Sequence, residues 1–244
     1  MKQIIIFGLV VAGIIGADVA FGGSDSIVGA ESNNFYGQES GVVTITEYGD
    51  FECPACAGFF PIVSQIKEEF QEQIRFEFKH FPLVQIHPNA TAAHRASQAA
   101  ANQGQFWEMH DLLYQRQGSW RSSGGVGHNG VPISNNNPTA IFEEYARELG
   151  LDMDQYIADA NSSETLAIIN ADIDAGKQRG ANSTPTFYID GELIEDLNSI
   201  ATVETMRQFI QDAIDAKNNE TTETEATEST PEEASTEPEE TTVE

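Results

Sequence analysis

Positive charge is scarce in this chain. Its 244 residues hold 12 Lys and Arg against 39 Asp and Glu, a formal net charge of −27. That balance argues against nucleic acid as a partner and against binding to anionic lipid headgroups. Cysteine is scarcer still, with two in the whole chain. There is no second C-x-x-C and no H-x₃₋₅-H pair, so a zinc site would have to recruit scattered ligands such as His80, His87 and His94. No internal repeat is present. The glycines of 124–130 lack the preceding strand and the helix-opening Lys of a phosphate cradle.

The two cysteines sit together in Glu47-Tyr-Gly-Asp-Phe-Glu-Cys53-Pro-Ala-Cys56, and the chain is organised around that stretch. Val42–Tyr48 is β-branched and aromatic, the composition of a largely buried strand. Gly49-Asp50 breaks it. From Pro54 to Phe70 the apolar spacing predicts a helix, with a possible kink at Pro61. Cys53 then caps the helix and Pro54 occupies its first turn, where a missing N–H costs nothing. A sulfur at that position meets unpaired N–H groups and the positive end of the helix dipole, and both favour the thiolate. Such settings lower a cysteine pKa from about 8.5 to roughly 3.5–7.5. Cys56, one turn on, can close a disulfide with Cys53. The local chemistry is dithiol–disulfide exchange; half of a zinc site and an inert structural disulfide are the alternatives.

Length permits one good core with an inserted subdomain. The two ends lie outside that core. Met1-Lys-Gln followed by the apolar run Ile4–Ala17 has the pattern of a secretory signal, but a clean A-x-A cleavage site is missing. Read through residue 23, the run approaches the ~20 residues needed to span a bilayer, and residues 1–23 are read as an anchor in preference to a cleaved signal. Lys2 keeps Met1–Gln3 in the cytoplasm by the positive-inside tendency and places Cys53 and Cys56 outside it. Residues 24–41, rich in Gly, Ser and Asn, read as a flexible linker. Residues 218–244 carry ten Glu, no Lys or Arg and almost no large apolar residue. They read as a disordered acidic tail.

Between these ends, residues 42–217 alternate in type. Gln73–Phe81 has period two and predicts a second strand, closed by Pro82. Helices are predicted over Asn89–Gln103, Phe106–Tyr114, Pro138–Leu149, Met153–Ala160 and Glu164–Arg179, with 120–138 a loop. Asp190-Gly191 is a strong hairpin turn, and Thr202–Lys217 is an amphipathic helix. The order β-α-β, a helical block at about 88–179, then β-β-α predicts an α/β domain with a helical insertion.

With these pieces in order, the chain resembles the DsbA-like thiol:disulfide oxidoreductases of the thioredoxin-fold superfamily. The resemblance runs from about Gly41 to Lys217. It rests on Cys53-Pro-Ala-Cys56 after a strand, Phe78-Lys-His-Phe-Pro-Leu83, His87-Pro-Asn-Ala90, Gln105-Phe-Trp-Glu-Met-His-Asp111 and Ser183-Thr-Pro-Thr-Phe187. It implies a thioredoxin-like fold with an inserted helical subdomain and no cofactor beyond the redox-active pair Cys53–Cys56. It further implies a cis Pro185 facing that pair, with the backbone of Thr184 presented to an extended substrate. Glu47, six residues before Cys53, matches the family's buried acid, which can exchange a proton with Cys56. Lys79 is its candidate partner; the alternative is that Glu47 points to solvent.

The resemblance also implies a dithiol oxidase of exported polypeptides, reoxidised by a quinone-linked membrane protein. A reductase or isomerase of the same fold is the alternative. The Pro-Ala dipeptide bears on that choice, because the strongest oxidants of the family carry Pro-His there. A non-enzymatic binding module using the acidic tail is a third reading. His80, His87 and His110 are read as packing or capping residues, and Trp107 and Met109 as core.

Overall fold

Alternation along the central strands sets the two faces of the sheet. In the computed structural model, which describes residues 30–122 and 138–228, β2 (Val43–Gly49) pairs in parallel with β3 (Ile74–His80). β4 (Thr186–Ile189) lies antiparallel on its other side. Partners in register share a face, so Ile45, Glu47, Phe76, Phe78 and Phe187 point one way while Thr46, Tyr48, Lys79 and Tyr188 point the other. β1 (Phe35–Gly37) and β5 (Glu192–Leu193) complete the order β1-β3-β2-β4-β5.

On the first face, α1 (Pro54–Phe70) and α8 (Val203–Glu228) cover Val43, Ile45, Phe76 and Phe187 with Val63, Ile66, Met206 and Ile210. α1 runs through Pro61 without a break. The parallel β2–β3 pair needs a crossover, and α1 supplies it. On the other face, Tyr48, Phe81 and Tyr188 pack together, with Ile173 of α7 (Ser163–Gln178) against them.

The helical block enters between β3 and β4 as α2 (Ala90–Ala101), α3 (Phe106–Gln115), the short α4 (Gln117–Trp120), α5 (Pro138–Glu148), α6 (Met153–Asn161) and α7. Its core of Trp120, Phe142, Tyr145, Met109 and the alanines of α2 continues without interruption to Phe51, Cys53 and Cys56. The cysteine pair therefore lies at the seam between the sheet domain and the insertion. The hairpin turn falls at Asp190-Gly191 as expected, with φ of 47° and 85°.

Two boundaries differ from the sequence expectation. The linker read over 24–41 does not reach 41. Ser32 and Asn34 are buried, and Phe35–Gly37 is an edge strand antiparallel to β3. Ser32 donates from its N and Oγ to Asp172 on α7, at 2.8 and 2.6 Å. Gly37 is there for fit, since its φ is 87° and a side chain would strike the Ile74 carbonyl. At the other end, α8 continues to Glu228, eleven residues into the stretch read as disordered. Once a helix is nucleated, each further residue adds a hydrogen bond, so a polar extension can follow an anchored one. Residues 1–29, 123–137 and 229–244, and with them the anchor and the glycine-rich loop, lie outside the described residues.

Candidate active site

Cys53 is the N-cap of α1, extended at φ −70° and ψ 124°, with Pro54 in the first turn. Both thiols are free. A hydrogen bond from the Cys56 thiol, joined by the Cys56 and Ala55 backbone N–H groups, outweighs burial and brings Cys53 down to about 5. Burial pushes Cys56 the other way, well above an ordinary thiol, and the neighbouring Cys53 and Glu47 charges add to it. One sulfur is thus a thiolate at neutral pH and the other a thiol. Cys53 is only 6% exposed, less open than an attacking sulfur on a free surface. What covers it includes the loop before β4, where the Thr184–Pro185 peptide bond is cis and the Thr184 carbonyl lies 3.3 Å from Cys53 Sγ.

The turn that carries Cys53 is held from several sides. The Cys53 N–H donates to the Asp50 carbonyl at 3.0 Å, and the Asp50 N–H lies 3.5 Å from Cys56 Sγ. Gln117 of α4 donates to the Phe51 and Cys53 carbonyls at 2.8 and 2.9 Å. Glu52 accepts from the Asn89 N–H at 2.6 Å and from the N–H and hydroxyl of Ser122. These bonds satisfy backbone groups that would otherwise be buried unpaired.

Glu47 points inward, 3% exposed, on the face covered by α1. Burial raises its carboxyl to about 8, and Lys67 of α1 pulls against that rise. Lys79 is not its partner. It sits in register with Tyr48 on the opposite face, where it donates to the Ser32 carbonyl at 2.6 Å and pairs with Glu31 at 3.3 Å. The cation whose charge reaches Glu47 is Lys67, buried with Nζ 3.8 Å from the Trp107 ring centre and 5.0 Å from that of Tyr36. Burial lowers it to about 8. Trp107 also ties the edge strand to α3, its Nε1 donating to the Phe35 carbonyl at 2.7 Å.

These shifts set a pH dependence. Glu47 is raised above its ordinary 4.5, so its contribution to stability is present below 4.5 and lost as pH climbs toward 8. Lys67 is depressed, so its contribution is present above 10.5 and lost as pH falls toward 8. Glu47→Gln removes the first slope. The variant is expected to match the wild type near pH 4.5 and exceed it by about 4 kcal/mol near pH 8 in urea unfolding. Equal stability at pH 8 would refute the buried acid.

Several comparisons bear on this geometry. Residues 30–212 match the family described as Thioredoxin. The chain belongs to the thioredoxin family. A thioredoxin-like oxidoreductase from Silicibacter pomeroyi is 25% identical and superposes with a TM-score of 0.55, covering 76% of this chain and 92% of that one. The alpha-DsbA1 of Wolbachia pipientis, 16% identical, gives 0.62 over 80% and 96%. The likeness is one of fold: a thioredoxin-like sheet domain carrying a helical insertion. Among curated proteins, a Na(+)/H(+) antiporter NhaA 1 from Salinispora arenicola is 35% identical over 167 residues, 67% of this chain and 22% of that protein. The chain spans about a quarter of the length of the curated relatives it matches.

Within this thioredoxin-family chain, the positions proposed from sequence converge. Cys53, Cys56, Thr184 and Pro185 meet at one place, with Glu47 beneath. Sequence reasoning missed Asp50, Glu52, Lys67 and Gln117, and named His94 only as a scattered ligand for zinc. Asp50, Glu52 and Gln117 are tied to Leu83, Asn89 and Phe51 by bonds between residues 33 or more apart, which no local spacing reports. His87 does more than pack, since its Nδ1 lies 2.7 Å from Asp50 Oδ2. Among the described residues, no group of three or more His, Cys, Asp and Glu is arranged to hold a metal ion.

Proposed function

We propose that this chain is an extracytoplasmic dithiol oxidase that passes the Cys53–Cys56 disulfide to exported polypeptides. A substrate thiolate attacks Cys53 Sγ, the Cys53–Cys56 bond breaks, and Cys56 leaves with the electron pair and takes up a proton from Glu47. A second substrate thiolate attacks the substrate sulfur of the mixed disulfide. The substrate disulfide forms, Cys53 leaves as thiolate, and two electrons remain on the enzyme. A quinone-linked membrane protein takes them and restores the disulfide. Thr184 and Pro185 receive the substrate backbone beside Cys53. Residues 1–23 hold the enzyme at the outer face of the membrane.

The observation that carries this reading is the asymmetry of the thiols, with Cys53 a thiolate at the helix N-terminus and Cys56 held as a thiol. A stabilised thiolate favours the reduced enzyme, which makes its disulfide a strong oxidant. The Pro-Ala dipeptide favours a second reading, a reductase or isomerase, because it lacks the histidine donor of the strongest oxidants. Trapping with acid and alkylating the cysteines in living cells separates the two. A mostly disulfide-bonded Cys53–Cys56 is expected, and a mostly reduced pair would reverse the direction of electron flow.

A further inference from the structure

The helical insertion meets the reactive turn through a side chain that reaches Cys53 itself. Gln117, the first residue of α4, is buried, and its Nε2 donates to the Phe51 carbonyl at 2.8 Å and the Cys53 carbonyl at 2.9 Å. Both acceptors are carbonyls, so the NH₂ end of the amide must face them, and both of its hydrogens are committed. The Cys53 carbonyl also accepts from the Ala57 N–H at 3.2 Å, the first hydrogen bond inside α1. Gln117 thus holds the peptide groups on either side of the Glu52–Cys53 backbone and ties them to the opening turn of the helix.

The insertion presents that amide rigidly. α4 ends on Trp120, which is fully buried and packs edge-on against Phe142. Its Nε1 donates to the Leu113 carbonyl at 3.0 Å, and its own carbonyl accepts from Asn89 Nδ2 at 2.7 Å. Ser119 Oγ donates to the Arg116 carbonyl at 2.7 Å and lies 3.1 Å from the Tyr145 hydroxyl. A functional amide needs such support, because a donor on a loose element fixes nothing. The other bonds across this seam, from Asn89 and Ser122, end on the Glu52 side chain and leave the Cys53 backbone untouched.

We propose that Gln117 is a positioning residue for thiol–disulfide exchange: by holding the carbonyls on either side of the Glu52–Cys53 backbone, it keeps Cys53 Sγ over the opening turn of α1 and makes the reactivity of that sulfur a property set by the insertion. An amide carries no net charge, so it acts through geometry. A sulfur at a helix N-terminus is stabilised by the unpaired N–H groups only while it stays within hydrogen-bond reach of them. The backbone angles of Glu52 and Cys53 decide that reach, and they lie between the two carbonyls that Gln117 clasps. The low value of Cys53 supports this placement, since it comes from the Cys56 thiol foremost and from the Cys56 and Ala55 N–H groups with it. A side chain without the donor releases the turn. The thiolate is then held less well, the reduced enzyme loses ground to the disulfide, and the disulfide becomes a weaker oxidant.

The role rests on exchange at Cys53, but the placement of the sulfur can be read without it. Two variants of the full chain are compared with the wild type. Gln117→Met keeps the volume and loses both donors; Gln117→Asn keeps the NH₂ group on a side chain one methylene shorter. The first reading is the pH midpoint for alkylation of Cys53 by iodoacetamide in the reduced protein, where Cys56 is held as a buried thiol. That midpoint lies at about 5 in the wild type. It is expected to rise by about one pH unit in Gln117→Met and by less in Gln117→Asn. The second reading is the equilibrium with glutathione at pH 7, expected to shift about tenfold toward the protein disulfide in Gln117→Met, a potential about 30 mV lower. Urea unfolding accompanies both, because a merely structural Gln117 lowers stability and moves neither reading. Unchanged alkylation midpoints in the two variants would overturn the role, as would a Met variant that fails to fold beside an Asn variant with wild-type Cys53. A wild type that does not equilibrate with glutathione would overturn exchange, while the alkylation midpoint still decides whether Gln117 places the sulfur.

Discussion

Cys56→Ala is expected to stop the enzyme halfway, with substrates held on Cys53 as mixed disulfides. The thiolate needed for the first attack is available, because Cys53 sits at about 5 through its place at the head of α1. In the variant Cys53 loses the hydrogen bond from the Cys56 thiol but keeps the helix N-terminus, so its pKa rises part of the way and it remains reactive. What disappears is the second sulfur. Without it the mixed disulfide cannot close to Cys53–Cys56, and release depends on slow attack by outside thiols. Turnover falls to the level of uncatalysed exchange while covalent adducts accumulate. Cys53→Ser loses adducts and turnover alike. Non-reducing electrophoresis and intact mass read both outcomes. Adducts that form equally well in the two variants would show that Cys53 is not the sulfur that meets substrate.

Asp172→Ala is expected to be the most destabilising single change among the residues around the site. The carboxylate is fully buried on α7 and accepts three hydrogen bonds, from the N and Oγ of Ser32 and the backbone N of His80. It thereby joins the N-terminal segment, β3 and the insertion at one point. Alanine leaves those donors unpaired and away from water, at a cost of about 4 kcal/mol. Urea unfolding should show the midpoint fall with little change in slope, and protection of the β1 amides from hydrogen exchange should fall with it. A loss below about 1 kcal/mol would show that the segment before β1 is held by other contacts. Asp172→Asn keeps an acceptor and should recover part of the loss.

The sequence by itself determined the local elements and the reactive pair. Cys53-Pro-Ala-Cys56 between a β-branched strand and an amphipathic helix specifies an N-cap sulfur, since Pro54 costs least in the first turn and the dipole acts over that turn alone. The strands, the hairpin at Asp190-Gly191 and the helical block were legible for the same reason, as each is written in neighbours a few residues apart. The tertiary structure decided the rest. Alternation along β2 leaves the facing of Glu47 undetermined until the partner strands are known, and it was the register with Phe78 and Phe187 that set it against Lys67 and away from Lys79. Residues 32–37 read as a linker because small polar residues serve both flexible chain and close packing. Only the approach of Ile74 and Asp172 shows which applies. The clasp of Gln117 on Phe51 and Cys53 joins residues 66 and 64 positions apart, and buried polar groups of that kind are paired by the fold, not by any spacing in the chain.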